Sequence, residues 1–185
     1  QKYPDWPSVE LQKAHTILGL LEYKKLDKVD VIAYSEASIN VCIAAMLRPE
    51  KFTDRTIVLY SPAGLIGQDT LLALVKRAKA HTKHPKSMLH IPITETEIKN
   101  LKLITDEARK YNKANHLRSL REGVAVSQVQ IEDMLRYLHE KGVRIIIVQG
   151  VDDTFFPIDK MQEIVKSTGV EDGFVGGFLS IIGGH

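Results

Sequence analysis

The run Val29-Asp-Val-Ile-Ala-Tyr34 is short, rich in β-formers and mostly apolar, and it passes almost directly into Glu36 to Leu47, which is helical in pattern. A strand followed at once by a helix can bury both elements in few ways. The helix must fold back across the sheet, as in a parallel sheet with helical crossovers. That single junction sets the frame for the rest of the chain.

Other segments repeat the alternation. Ser8 to Leu26 has apolar positions at helical spacing, with Ser8 as the expected N-cap after Pro7. The first strand is expected to be buried, and the helix after it to end before Pro49. Arg55 to Tyr60 reads as a second strand, stopped by Ser61-Pro-Ala-Gly64. Residues from about 65 to 135 are Lys-rich and helical in pattern, broken by HTKHPKS and IPIT. Strand signals return at Val143 to Gln149, then a helix from about Ile158 to Ser167, then a strand over Gly177 to Ile182. The expected fold is therefore α/β, a mostly parallel sheet with a helical insertion. Residues 1–64 and 136–185 would form the two halves of the core, and 65–135 a cap over the edge where ligands bind in such sheets.

Composition removes several function classes. A formal charge of +2 over 185 residues, with lysines interspersed among acids, argues against nucleic acid as the main partner. No apolar run is long enough to span a bilayer. Cys42 is the only cysteine, so no intrachain disulfide can form, and its apolar neighbours predict a buried, unreactive thiol. The opening residues QKYPDWPS carry no signal-peptide pattern, which makes the cytoplasm the expected compartment. They also lack an initiating Met, as expected if a longer product precedes Gln1.

The chemistry concentrates at strand ends. In Ala33-Tyr34-Ser35-Glu36-Ala37 a sharp strand-to-helix turn would lift Ser35 above the sheet edge, with small residues on both sides where strand and helix approach. The backbone N–H of Glu36 would then point at the space beside the Ser35 hydroxyl and could stabilise an oxyanion. The plainer reading makes Ser35 the N-cap of the helix that follows. After Gln149 comes Gly150-Val-Asp-Asp153-Thr-Phe-Phe-Pro157, an acid at a strand end with a proline four residues on. Asp153 could hold an imidazole in the tautomer of a general base; Asp152 is its rival, and helix capping is the plainer role. Gly183-Gly184-His185 follows the last strand and could deliver an imidazole to the same edge, although a lone terminal His would read as a loose end. The order Ser, Asp, His along the chain is that of a hydrolase triad.

These segments together resemble the α/β-hydrolase superfamily, in its lidded esterase, peptidase and C–C hydrolase branch. The resemblance rests on KVDVIAYSEAS, RTIVLYSPAG, VRIIIVQGVDDTFFP and FLSIIGGH, and it spans essentially the whole chain. It implies an incomplete α/β-hydrolase fold with residues 65–135 as the cap. Three departures stand out. Ala33 and Ala37 replace the usual glycines of the elbow, one helix stands where the family has several strands, and the chain stops at His185 without a closing helix. The second oxyanion donor, carried by those strands, is therefore unassigned, and the chain is expected to be a piece of a longer protein.

The resemblance implies a serine hydrolase with Ser35 as nucleophile, His185 as base and Asp153 as the residue that steadies it. A small-molecule acyl substrate is expected and no metal or organic cofactor. Tyr34, Leu65, Phe155 and Phe156, with Ile66 nearby, are the candidates for lining an acyl pocket. A binding or signalling protein on the same fold is the alternative, and thioester, amide or C–C chemistry fits the same triad. His81, His84 and His90 read as a solvated cap segment, since Pro85 interrupts them and no carboxylate or Cys completes a metal set. His15, His116 and His139 read as surface or boundary residues of helices.

Overall fold

The computed structural model describes residues 6–83, 103, 106–107, 110–111, 113–150, 153 and 155–176. Helix α1 spans Ser8–Tyr23, strand β1 Val31–Tyr34 and helix α2 Ala37–Leu47. A 3-10 turn at Pro49–Lys51 leads to β2, Thr56–Tyr60. Helices α3 (Leu71–Lys83), α4 (His116–Gln128) and α5 (Glu132–Glu140) precede β3, Arg144–Gln149. Helix α6 (Ile158–Val165) and a 3-10 turn at Glu171–Gly173 lead to β4, Phe174–Gly176.

The four strands form one parallel sheet in the order β1-β2-β3-β4. Because all strands are parallel, every C-terminal end lies on one edge. Val31 pairs with Ile57 and Tyr34 with Tyr60, while Ile57 pairs with Ile145 and Tyr60 with Val148.

One face of the sheet is the core. Ile57 and Leu59 of β2, with Ile145 and Ile147 of β3, are buried in the same cluster as Ile39 and Ile43 of α2 and Leu135 and Leu138 of α5. Helix α2 lies between α1 and α5 and is buried along Ser38 to Ala45. Its small residues Ser38, Ala44 and Ala45, all at 0% exposure, allow neighbours to approach closely. Burying each large aliphatic side chain of this cluster contributes about 1.5–3 kcal/mol before entropy is counted.

Two expectations change, and a third falls outside the described residues. Ser8 is the first residue of α1, with Pro7 as the cap and no side-chain capping bond. The first strand is not buried throughout. Only Ala33 is, while Ile32 is 79% exposed, because β1 is an edge of the described sheet and its outer face has no described neighbour. The strand expected at Gly177 to Ile182 lies outside the described residues, and β4 comes immediately before it.

Candidate active site

The turn after β1 is held in an uncommon conformation. Ser35 has φ +53°, the left-handed region that L-residues other than Gly, Asn and Asp seldom adopt. Hydrogen bonds fix it there. The Ser35 N–H donates to the Tyr60 carbonyl at 3.0 Å, so the ladder to β2 continues one residue past the strand. The Ser35 carbonyl accepts from Ser38 N–H at 3.1 Å and from Ala63 N–H at 3.2 Å. Ala33 and Ala63 are buried on either side, and larger side chains would force strand, helix and loop apart.

The next strand repeats the device. Ser61, just past β2, has φ +42° and its N–H donates to the Val148 carbonyl at 2.8 Å. The Glu36 N–H, beside Ser35 at the start of α2, makes no hydrogen bond among the described residues. A free donor at a helix start is the usual setting for an anion or oxyanion.

Beyond β3, Asp153 organises the loop. Its Oδ1 accepts the N–H groups of Phe155 at 2.8 Å and Phe156 at 3.0 Å. Its Oδ2 accepts Gln149 Nε2 at 3.1 Å, and the same nitrogen donates to the Phe156 carbonyl at 2.8 Å. Gln149 is fully buried, and its Oε1 has no partner among the described residues. Pro157 then caps α6.

Ser35 and Asp153 thus share one sheet edge, with the end of β2 between them. Tyr34 and Tyr60, in register there, stack at 5.7 Å between ring centroids. Partial burial raises the Tyr34 phenol above its ordinary pKa, and the Asp153 charge adds to that; partial burial, then Tyr34 and Asp153, do the same to Tyr60. Both phenols are therefore neutral donors near neutral pH.

The candidate lining residues differ in exposure. Tyr34 is 65% exposed and Leu65 is fully buried in the core cluster. Phe156 is buried and Phe155 half-buried, their rings edge-to-face at 4.7 Å. Arg77 of α3 reaches this loop, its Nε donating to the Phe155 carbonyl at 2.9 Å and its guanidinium pairing with Asp69. Asp152, Gly183, Gly184 and His185 lie outside the described residues, as do His84 and His90. His15, His116 and His139 are exposed, and Cys42 is buried.

Two residues of this edge escaped the sequence reading. Gln149 ends an otherwise apolar strand, and a polar side chain at a position due to be buried was its signal. Ser61 left no comparable mark, because its conformation depends on the partner strand.

No protein-family model matches the chain, and neither does any curated protein. Solved structures do. The chain is similar to 2-hydroxy-6-oxo-6-phenylhexa-2,4-dienoate hydrolase from Rhodococcus sp. strain RHA1, with 16% identity and a TM-score of 0.61 over 96% of this chain and 69% of that one. It is similar to a hydrolase from Pseudomonas aeruginosa PA01, with 15% identity and a TM-score of 0.58 over 95% and 66%. A thermophilic esterase from Thermogutta terrifontis gives 15% identity and a TM-score of 0.52 over 98% and 69%. The fold is that of the α/β-hydrolases. The chain spans about two thirds of the length of these neighbours. Within the fold, Ser35 stands at the strand-to-helix turn and Asp153 in the loop two strands away.

Proposed function

We propose that the chain is the larger part of a serine hydrolase acting on a small-molecule acyl substrate. Ser35 is the nucleophile, His185 the general base and Asp153 the carboxylate that orients it. The observation that carries this reading is the left-handed Ser35, clamped by three backbone hydrogen bonds at the edge it shares with Asp153.

In this reading His185 takes the Ser35 proton as Oγ attacks the carbonyl carbon. Asp153 stabilises the imidazolium, and the Glu36 N–H receives the developing oxyanion. The imidazolium returns its proton to the leaving group, and water, activated by the same base, releases the acyl group. Residues 65–135 act as the cap, and Tyr34 and Phe155 face the acyl group. Esters are the first substrates to try, because the thermophilic esterase is among the neighbours; the 2-hydroxy-6-oxo-6-phenylhexa-2,4-dienoate hydrolase among them makes an oxo-dienoate the next.

Treatment with a fluorophosphonate followed by mass spectrometry tests the reading. One adduct, mapped to Ser35, is the expected result, and Ser35→Ala should abolish it. One observation favours a binding protein on the same fold: both Asp153 oxygens already accept hydrogen bonds from their own loop and from Gln149. No adduct, together with stabilisation by ligands that are never turned over, would replace the hydrolase reading with that one.

A further inference from the structure

Helix α1 carries an acid in its buried stripe. Glu10, Ala14, Leu18 and Leu21 share one buried face, and the Glu10 side chain is 0% exposed. An ionised carboxylate so placed needs donors, yet neither Glu10 oxygen finds one among the described residues.

Its surroundings explain this. Among the described residues Lys13 Nζ is the one cation that pairs with it, 3.8 Å away, and that ammonium also pairs with Glu36 and, at 3.0 Å, with Glu122 of α4. Arg118 pairs with Glu122 from the same helix at 3.2 Å. Among the described residues of this cluster, three carboxylates against two cations leave one negative charge over. A proton on Glu10 cancels it and gives the buried acid a hydrogen to donate to Glu36, the carboxylate that faces it. Burial first, then Glu36, lifts Glu10 from its ordinary 4.5 to about 8, Lys13 opposing and Glu122 adding. Burial opposes the charge on Lys13 too, but Glu36 and Glu122 outweigh it and raise its pKa.

Glu36 is also the residue whose N–H faces the Ser35 hydroxyl in the reading above. We propose that Glu10 is a positioning residue for that N–H: as the neutral acid it bonds the Glu36 carboxylate and, with Lys13 and Glu122, pins Glu36 to α1 and α4. This rests on the serine-hydrolase reading. Losing the proton sets two carboxylates against each other and leaves Glu36 held by Lys13 alone, so the oxyanion donor loses its aim.

The rate of fluorophosphonate labelling of Ser35, followed against pH, tests the proposal. With the wild-type chain the rate should fall about tenfold per pH unit above about 8, from a higher level at lower pH. Glu10→Gln keeps a neutral donor toward Glu36, so its rate should stay level on the alkaline side. A wild-type rate without the fall, or a fall that survives in Glu10→Gln, overturns the proposal.

Melting temperature against pH in a Ser35→Ala background reads the proton without the chemistry. Because the folded chain holds a proton that the unfolded chain releases, stability is complete below about pH 4.5, falls as pH rises, and levels off above about 8. Glu10→Gln should remove that decline; a decline of the same size in both chains overturns the proton assignment. Absent labelling at every pH would sink the hydrolase reading and the positioning role with it, while the melting series still decides whether Glu10 is protonated.

Discussion

Gln149 Nε2 lies 3.1 Å from Asp153 Oδ2 and 2.8 Å from the Phe156 carbonyl oxygen, so a buried amide of β3 holds the loop that leaves it. Gln149→Ala strips both acceptors of their donor. It should lower stability by about 1–3 kcal/mol in a denaturant titration, against little change for the exposed Gln128→Ala. Matching midpoints for the two variants would show that the loop is held by other contacts.

Ser35 invites a comparison of two small replacements. Ser35→Gly should unfold at higher denaturant than Ser35→Ala, by up to about 1 kcal/mol, because only glycine adopts a left-handed backbone without penalty. Neither variant should take the fluorophosphonate label. If the alanine variant were the more stable, the turn would carry no strain.

Arg77 ties α3 to the loop containing Asp153 through the Phe155 carbonyl. One such bond is worth about 1 kcal/mol. Arg77→Ala should therefore raise the open population of α3, and tryptic cleavage at Lys76, about fivefold. A cleavage rate equal to wild type would mean that α3 opens independently of that loop.

Cys42 is fully buried on α2, and burial pushes its thiol up to about 12. The thiolate is the reactive form. An aromatic disulfide reagent should find no thiol in the native chain and one equivalent in guanidinium chloride. Rapid titration of the native chain would show that α2 opens readily.

The sequence reading recovered what is local. The sharp turn at Ser35 and the acid-led turn at Asp153 were legible because a strand-to-helix junction and an acid-to-proline spacing need only a few adjacent residues. The helical stripe of α1 was legible for the same reason. What escaped depends on neighbours distant in the chain. Ile32 looks like a core residue until β1 is known to be a sheet edge, and Glu10 looks like a surface acid until α2 and α4 close around it. Ser61 adopts its conformation because Val148 supplies the carbonyl that its N–H reaches.

Sheet register has a consequence for the order in which the chain assembles. Thr56 pairs with Arg144, a separation of 144 − 56 = 88 residues, whereas Val31 pairs with Ile57 across only 57 − 31 = 26. Closing the larger loop costs about 1 kcal/mol more in chain entropy, and neither Ile145 nor Ile147 gains its packing until it closes. The segment from α1 to β2 should therefore collapse first, with α2 already seated on α1. Docking of α5 and β3 onto that surface then becomes the slow step of folding.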